Sequence, residues 1–486
     1  MNPARFAPLV IPLALAGCGR PDAPAADMPA PAPTTQRAAA PPTTTIVPFD
    51  DAKPIVAALG DRLPADLRGR TADDLQAGWS GWVVRRGAEI RSRLDRGDED
   101  SIVNFWMYGT SFTALPRVTQ SEVRTLGRAR SEDLLISRLD DLVGALASRG
   151  SNERLQFARV VLQRHGIDPA TPEGQQQARI FLVQSRARMI AESDRYRSAA
   201  QAATGDPRST LGVYATLYRD RGLSTDTSLS ADFNLEKALE AMRAADTKSA
   251  APLANVRRVA IVGPGLDFTD KAEGHDFYPP QSIQPFAILD SLIRLGLAKT
   301  GDLRLTTFDV SPRVNQHLRA ARQRAERGEG YVLQLPIEDR GRGDRPHPDF
   351  EGYWARFGDR IGVETAPIAP PSSARRVRVR AVVVRPEIVL AIAPHDLNIV
   401  LERLAPLPAD EQFDLVVATN VLVYYDAFEQ ALALANVAAM LRSGGFFVTN
   451  FEVHPFPPME PTPTLTTTVR RDAQQVGDTV FRYRRR

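Results

Sequence analysis

Val259–Phe268 reads VAIVGPGLDF. Four apolar residues in a row, Val259 to Val262, suit a central parallel strand covered on both faces. Gly263 and Gly265 then allow a sharp turn and a close approach of backbone to a ligand. A loop of this kind at the carboxyl end of the first strand is where doubly wound α/β folds bind nucleotides. The stretch therefore predicts a cofactor site in the second half of the chain.

Outward from it, the pattern alternates between strand and helix. A helix is expected over Ser282–Leu295, a strand over Leu303–Phe308 ending at Asp309, and a helix over Pro312–Arg327. After a long insertion come strands near Val377–Val384 and Glu387–Ala391, an apolar strand Phe413–Thr419, a helix Ala427–Leu441 and a strand Gly445–Phe451. This order predicts an α/β fold, a Rossmann-like doubly wound parallel sheet with helices on both faces.

The first half differs. Residues 47–250 read as a mainly α-helical domain, with helices over Ala72–Leu94, Ser131–Ala147, Asn152–His165, Pro172–Arg197 and Ser230–Ala245. One block within it, Gly97–Val118, gathers Phe105, Trp106, Tyr108 and Phe112 beside Gly109, Thr110 and Ser111. It is either a loop that closes over a ligand or an aromatic core around a turn. Asp98, Glu99 and Asp100 read as a solvated helix entry, and no His or Cys joins them to make a metal site.

Which nucleotide would bind? A dinucleotide fingerprint needs Gly-x-Gly-x-x-Gly, and Phe268 stands where the third glycine belongs. An NAD-dependent oxidoreductase is disfavoured on that ground. Asp309 ends the second strand, where a carboxylate can take both hydroxyls of a ribose. Asp396, in HDLN, follows a later strand, where an adenine would lie.

The second half resembles the class I S-adenosylmethionine-dependent methyltransferases, and more narrowly the chemotaxis-receptor (CheR-like) methyltransferases. The resemblance is carried by FDLVVATNVLVYYD (413–426), then Gln430 and Leu441-Arg442-Ser443-Gly444-Gly445, by TTFDVSPRVNQHLRAA (306–321), by HDLN (395–398) and by the closing TVFRYRRR. It covers about Val256–Arg486. It implies S-adenosyl-L-methionine as cofactor, with Gly263 and Gly265 at its methionine side and Asp309 on the ribose. It further implies Asp396 and Leu397 around adenine, Asn420 beside the methyl donor and Tyr424 near the methyl group. Thr419 stands where the family has Arg. Phe268–Pro280 is an insertion where the family has a compact turn, and Glu273 or Asp276 could supply the carboxylate of that turn. The family's substrate domain is absent, so its glutamate acceptor is not carried over, and the methyl acceptor, protein or small molecule, is open. A carboxylate acceptor would need no base at neutral pH; a hydroxyl or amine would need one, for which Tyr424 and His395 are nearest. The alternative is a non-catalytic protein that keeps the fold as a binding or scaffolding module.

Composition bounds the partners. The chain has 486 residues, a formal charge of +3 and 43% hydrophobic residues, enough for two or more domains and for a sizeable core. No basic run precedes Arg484–Arg486, so no nucleic acid is expected. Met1–Cys18 resembles a bacterial lipoprotein signal peptide: the apolar Ala7–Ala16, too short to span a bilayer, runs into Leu15-Ala16-Gly17-Cys18. Cys18 is the only cysteine, free for a lipid such as palmitate. Residues 19–46, rich in Pro, Ala and Thr, read as a disordered tether. The organisation expected is thus signal (1–18), tether (19–46), helical domain (47–250) and methyltransferase-like domain (251–486). The membrane contact is through the lipid only, on the periplasmic side, or the protein is cytoplasmic if the signal is not processed.

Overall fold

In a computed structural model the described residues are 43–115, 117, 128–148, 150–202, 221–227, 229–245, 253–269, 275–338, 346–374, 376–453, 459–461, 467–470 and 476–486. Cys18, the signal and nearly all of the tether lie outside them, as does Glu273. The last four residues assigned to the tether, Thr43–Ile46, form strand β1.

The apolar run becomes β2, Arg258–Val262, as its pattern predicts. The strands after it are β3 (Arg304–Asp309), β4 (Tyr331–Glu338), β5 (Gly362–Thr365), β6 (Val377–Val384), β7 (Ile392–Asp396) and β8 (Glu402–Ala405). Then come β9 (Phe413–Ala418), β10 (Leu441–Thr449), β11 (Met459–Pro461), β12 (Thr467–Arg470) and β13 (Val476–Arg485). The main sheet has the order β11-β13-β10-β9-β2-β3-β7, with β12 paired to β13. From β10 to β7 every pairing is parallel, while β13 runs antiparallel to β10 and β11. Counted by appearance along this path, with the off-path β12 left out, the order is 3-2-1-4-5-7-6. It is a Rossmann-like doubly wound sheet, set apart from the all-parallel 3-2-1-4-5-6 dinucleotide order by the reversed β13.

Two expectations need correction. Val377–Val384 is a strand, but it sits in a separate antiparallel sheet, β4-β6-β5, inserted between β3 and β7. Glu387–Ala391 is not a strand: Pro386–Leu390 is a short helix begun by Pro386, and the strand starts at Ile392.

The helices are α1 (Phe49–Leu59), α2 (Ala72–Tyr108), α3 (Arg128–Ala147), α4 (Glu153–Arg164), α5 (Pro172–Ala202) and α6 (Leu229–Ala245). In the second half they are α7 (Gln284–Arg294), α8 (Pro312–Glu326), α9 (Pro348–Arg356), α10 (Pro386–Leu390) and α11 (Ala427–Met440). Alternate residues of β2 feed opposite cores. Val259 and Ile261 pack with Phe233 and Leu239 of α6 and Phe286 and Leu289 of α7. Ala260 and Val262 belong to a core that takes in Trp79 and Trp82 of α2 and Phe428 and Leu432 of α11. The helical half therefore shares cores with the sheet. Among the described residues no helix is long and apolar enough to cross a membrane.

Helix α2 is the spine of the helical half. Thr71 caps it, its Oγ1 accepting from Asp74 N–H at 3.2 Å. It runs through Gly97 and the acidic triplet to Tyr108, so that triplet is mid-helix rather than a solvated entry. Asp98 pairs with Arg164 of α4 at 2.9 Å, and Asp100 with Arg188 of α5. The aromatic block is core: Phe105 and Phe112 pack on one another and Phe105 on Phe268.

Gly97 allows the chain at residues 222–223 to lie directly on α2. A Cβ at Gly97 would meet Leu223 O at 2.0 Å, and one at Gly222 would meet Gly97 N at 2.3 Å. Gly97→Ala is expected to destabilise the fold by about 1–3 kcal/mol through overpacking. Gly78→Ala on the same helix, where a Cβ would meet nothing among the described residues within 4 Å, is expected to raise stability by up to about 1 kcal/mol. Thermal melts of the two variants should therefore move in opposite directions.

Candidate functional site

The order of the main sheet reverses at β2, with β3 and β7 to one side and β9 and β10 to the other. Ligands of open α/β sheets bind at that point, beyond the carboxyl ends of the strands. A cavity of about 340 Å³ lies there, within the range of small-molecule sites. Gly263, Gly265, Asp309, Leu397, Asn420 and Tyr424 all line it.

Each arrives from a strand end. Gly263 follows β2 with φ +64°, its N–H donating to Phe308 O at 2.8 Å. Gly265, at φ +72°, comes so close to the segment at 225–227 that a Cβ would meet Thr225 O and Thr227 Cβ at 2.9 Å. The close approach expected toward a ligand is thus used here for the protein's own chain. Leu266 N–H donates to Thr225 O at 2.7 Å and holds that segment over the turn.

Asp309 ends β3 and is 8% exposed. Its Oδ1 accepts from Ser311 N–H at 2.7 Å, and Oδ2 takes no hydrogen bond among the described residues. Burial pushes its carboxyl up to about 7, with Ser311 pulling the other way. Asn420 follows β9 in the left-handed region at φ 57°, where its side chain is clasped by Asn450: Asn450 Nδ2 donates to Asn420 Oδ1 at 2.7 Å, and Asn420 N–H to Asn450 Oδ1 at 2.8 Å. Asn tolerates that backbone better than most residues. Tyr424 sits in a single turn of 3-10 helix, Leu422–Tyr424, whose Tyr424 carbonyl accepts from Arg93 Nη2 at 3.0 Å.

Asp396 is not part of the lining. Its carboxylate points to the surface and pairs with Arg91 of α2 at 2.8 Å. Neither does His395 reach the cavity; its ring lies edge-on to Phe308, and burial lowers its pKa. Asp276 does not supply a ligand carboxylate either. It accepts from Thr110 N–H at 2.6 Å and Thr110 Oγ1 at 2.5 Å, and from Ser111 N–H at 3.0 Å and Ser111 Oγ at 2.7 Å.

The rest of the lining comes from parts the sequence does not mark. Gln284 opens α7 and donates from Nε2 to Thr419 Oγ1 at 2.8 Å and to Asp232 Oδ1 at 3.3 Å. Asp232 of α6 is fully interior, and burial pushes it up to about 8. Above the strand ends, α2 contributes Leu94, Asp100 and Asn104; α5 contributes Met189, Glu192 and Ser193; and residues 221–227 close the gap. Arg93 pins this cover, its Nε donating to Arg221 O at 2.9 Å. Only the glycines at 97 and 222 hint at that contact.

No family model matches the chain and no curated protein matches it. Among solved structures it is similar to the N-methyltransferase NodS from Bradyrhizobium japonicum WM9, with 15% identity over 52% of this chain and 94% of that one and a TM-score of 0.24. It is also similar to the magnesium protoporphyrin IX methyltransferase ChlM from Synechocystis PCC 6803 with bound SAM, at 12% identity over 60% and 90% with a TM-score of 0.23. A third is an O-methyltransferase family protein from Burkholderia thailandensis, at 9% identity over 86% and 98% with a TM-score of 0.22.

Proposed function

We propose that this chain is an S-adenosylmethionine-dependent methyltransferase. The observation that carries the reading is the cavity at the switch point of the sheet, with the Asp309 carboxylate inside it and no helix start at the glycine turn. A dinucleotide needs a helix N-terminus directly after that turn for its pyrophosphate. Here the chain enters the insertion instead, and α7 begins only at Gln284, nineteen residues past Gly265. A ligand with a ribose but no pyrophosphate suits such a site.

The residues present fit that cofactor. Asp309 Oδ2 would take the ribose hydroxyls. Leu397 with Val310 and Ile399 gives an apolar wall for a purine. Gln284, which lines the same cavity as the glycine turn, has its Oε1 buried with no hydrogen-bond partner among the described residues and would accept from an ammonium. When bound, S-adenosylmethionine supplies a methyl group already activated by its positive sulfur. The chain's task is then to hold an acceptor in line and keep water out, which positioning does better than acid–base chemistry. The cover of α2, α5 and residues 221–227 serves that exclusion. Within the class, the FDLVVATNVLVYYD block supports a likeness to the chemotaxis-receptor enzymes for the cofactor half alone.

Isothermal titration of the full chain with S-adenosylmethionine and with NAD tests the reading. Saturable binding of the first and none of the second is expected. Binding of NAD alone, or of neither, would overturn it.

A further inference from the structure

The cofactor residues account for the strand-end side of the cavity, and water exclusion alone does not explain the polar side chains that its cover presents. On α2, Asp100 and Asn104 are one turn apart and share a face. Asn104 is 7% exposed and lines the cavity. Its Oδ1 is buried with no hydrogen-bond partner, and its side chain makes no hydrogen bond through either end among the described residues. A buried amide oxygen left so is costly unless a ligand donates to it.

Facing it, α5 brings Glu192, itself nine-tenths buried, and Met189. Arg188 ties the carboxylates together, pairing with Asp100, with Glu99 at 3.3 Å and with Glu192 at 3.3 Å. One guanidinium thus serves three carboxylates. Arg221 also lines this end, its Nη2 donating to Ser193 Oγ at 3.1 Å. Glu99 lies outside the lining and also has His165 Nε2 within 3.3 Å; the carboxylates that line the cavity here, Asp100, Glu192 and Asp226, still outnumber the two arginines. Leu94 and Met189 add an apolar flank.

An acceptor oxygen awaiting a donor, an excess of carboxylate and an apolar wall together describe the complement of an ammonium on a hydrocarbon body. An anionic acceptor would meet Asp100 and Glu192 with like charge, and an alcohol would leave them unanswered. We propose that the helical cover is the acceptor site and that it takes a small aliphatic amine, making the chain an amine N-methyltransferase.

The inference rests on the methyltransferase reading for its chemistry, though not for binding. In transfer, the ammonium nitrogen first gives one proton to the Asp100 or Glu192 carboxylate. Its freed lone pair then forms the bond to the methyl carbon. The sulfur–methyl bond breaks with its electron pair left on sulfur. Burial raises the Asp100 carboxyl above its ordinary value, which makes it a better proton acceptor.

The test is binding of n-butylamine to the full chain by ligand-observed NMR, with and without saturating S-adenosylhomocysteine. Butanol and butyrate serve as neutral and anionic isosteres. Butylamine is expected to bind at least tenfold more tightly than either. Asn104→Leu and Glu192→Gln are each expected to weaken it about tenfold or more while leaving S-adenosylhomocysteine affinity within twofold. With labelled S-adenosylmethionine, the label is expected on butylamine and not on butanol.

Equal binding of the three isosteres would overturn the proposal. So would an equal loss of S-adenosylhomocysteine affinity in both variants, which would assign this end to the cofactor. Glu192→Gln keeps volume and hydrogen bonding, so a folding defect in Asn104→Leu alone does not decide the matter. If butylamine binds but S-adenosylhomocysteine does not, the amine site stands and the methyltransferase reading falls.

Discussion

Asp309→Asn is expected to weaken S-adenosylmethionine binding by about 100-fold and to abolish its pH dependence. The carboxylate lies inside the cavity at the end of β3, with one oxygen on Ser311 N–H and the other facing the ligand space. A charge-assisted hydrogen bond contributes about 1.5–3 kcal/mol, so losing the charge from a pair of ribose contacts removes about 3 kcal/mol, or about two orders of magnitude. The sign of the pH effect comes from burial, which pushes this carboxyl up to about 7. Ribose hydroxyls donate to the ionised form, so below pH 7 a proton must leave before binding. Affinity should fall toward tenfold per pH unit below 7 and level off above it. Fold stability moves the other way. A folded pKa above the unfolded value gives a contribution that is complete below about pH 4 and is lost as pH rises toward 7. Isothermal titration at pH 6, 7 and 8 reads the affinity. Asp396→Ala, whose carboxylate is on Arg91 at the surface, should stay within twofold of the parent. An Asp309→Asn variant that binds as the parent does would remove this residue from the site.

The sheet was legible where chemistry is local. An apolar run closed by Gly-x-Gly delimits β2 at both ends, because burial on two faces and a forced turn each leave a mark in the residues themselves. The strand at 377–384 shows why that is not enough: Val-Arg-Val-Arg alternation announces a half-buried strand without saying which sheet it joins, and its partner β4 lies in what reads as an insertion. PEIVL at 386–390 is as apolar as a strand, and the proline at its first helical position is the only sign otherwise. Helix α2 reads as ending at Leu94 because Arg-Gly-Asp-Glu-Asp carries no apolar stripe; Arg164 and Arg188, some seventy to ninety residues later, answer those carboxylates. The site divides along the same line. Gly263, Asp309, Leu397, Asn420 and Tyr424 meet because a doubly wound sheet brings the carboxyl ends of its strands together. Asp100, Asn104 and Glu192 reach the cavity from helix faces, and nothing in a helix's own sequence distinguishes a residue facing a cavity from one facing another helix.

Arg154→Met is expected to destabilise the protein by about 3–5 kcal/mol, because it strands buried carbonyls that cost about 1–3 kcal/mol each. Arg154 lies in the first turn of α4 and is 1% exposed. Its Nε donates to Phe268 O at 2.5 Å, Nη2 to Asp267 O at 3.1 Å, and Nη1 to Asp276 O at 3.1 Å and to Tyr278 O. The guanidinium also lies over the rings of Phe268 and Tyr278, at 5.7 and 5.5 Å. Four carbonyls, that of Asp267 and those of Phe268, Asp276 and Tyr278 in the insertion, therefore take a donor from a helix of the other half of the chain. Methionine would fill the volume and donate to none of them; Phe268 O keeps Thr269 Oγ1 at 2.7 Å, and each of the other three left without this donor costs about 1–3 kcal/mol. The insertion in turn sends Asp276 into the Thr110–Ser111 turn, so the two halves are locked from both sides. Asp276→Asn keeps the shape and some of the acceptors, and should lose less, about 1–3 kcal/mol. Because both locks hold the same insertion, the double variant should lose less than the sum of the two. Urea unfolding followed by tryptophan fluorescence measures all three. A midpoint for Arg154→Met within experimental error of the parent would mean that the insertion does not depend on this contact.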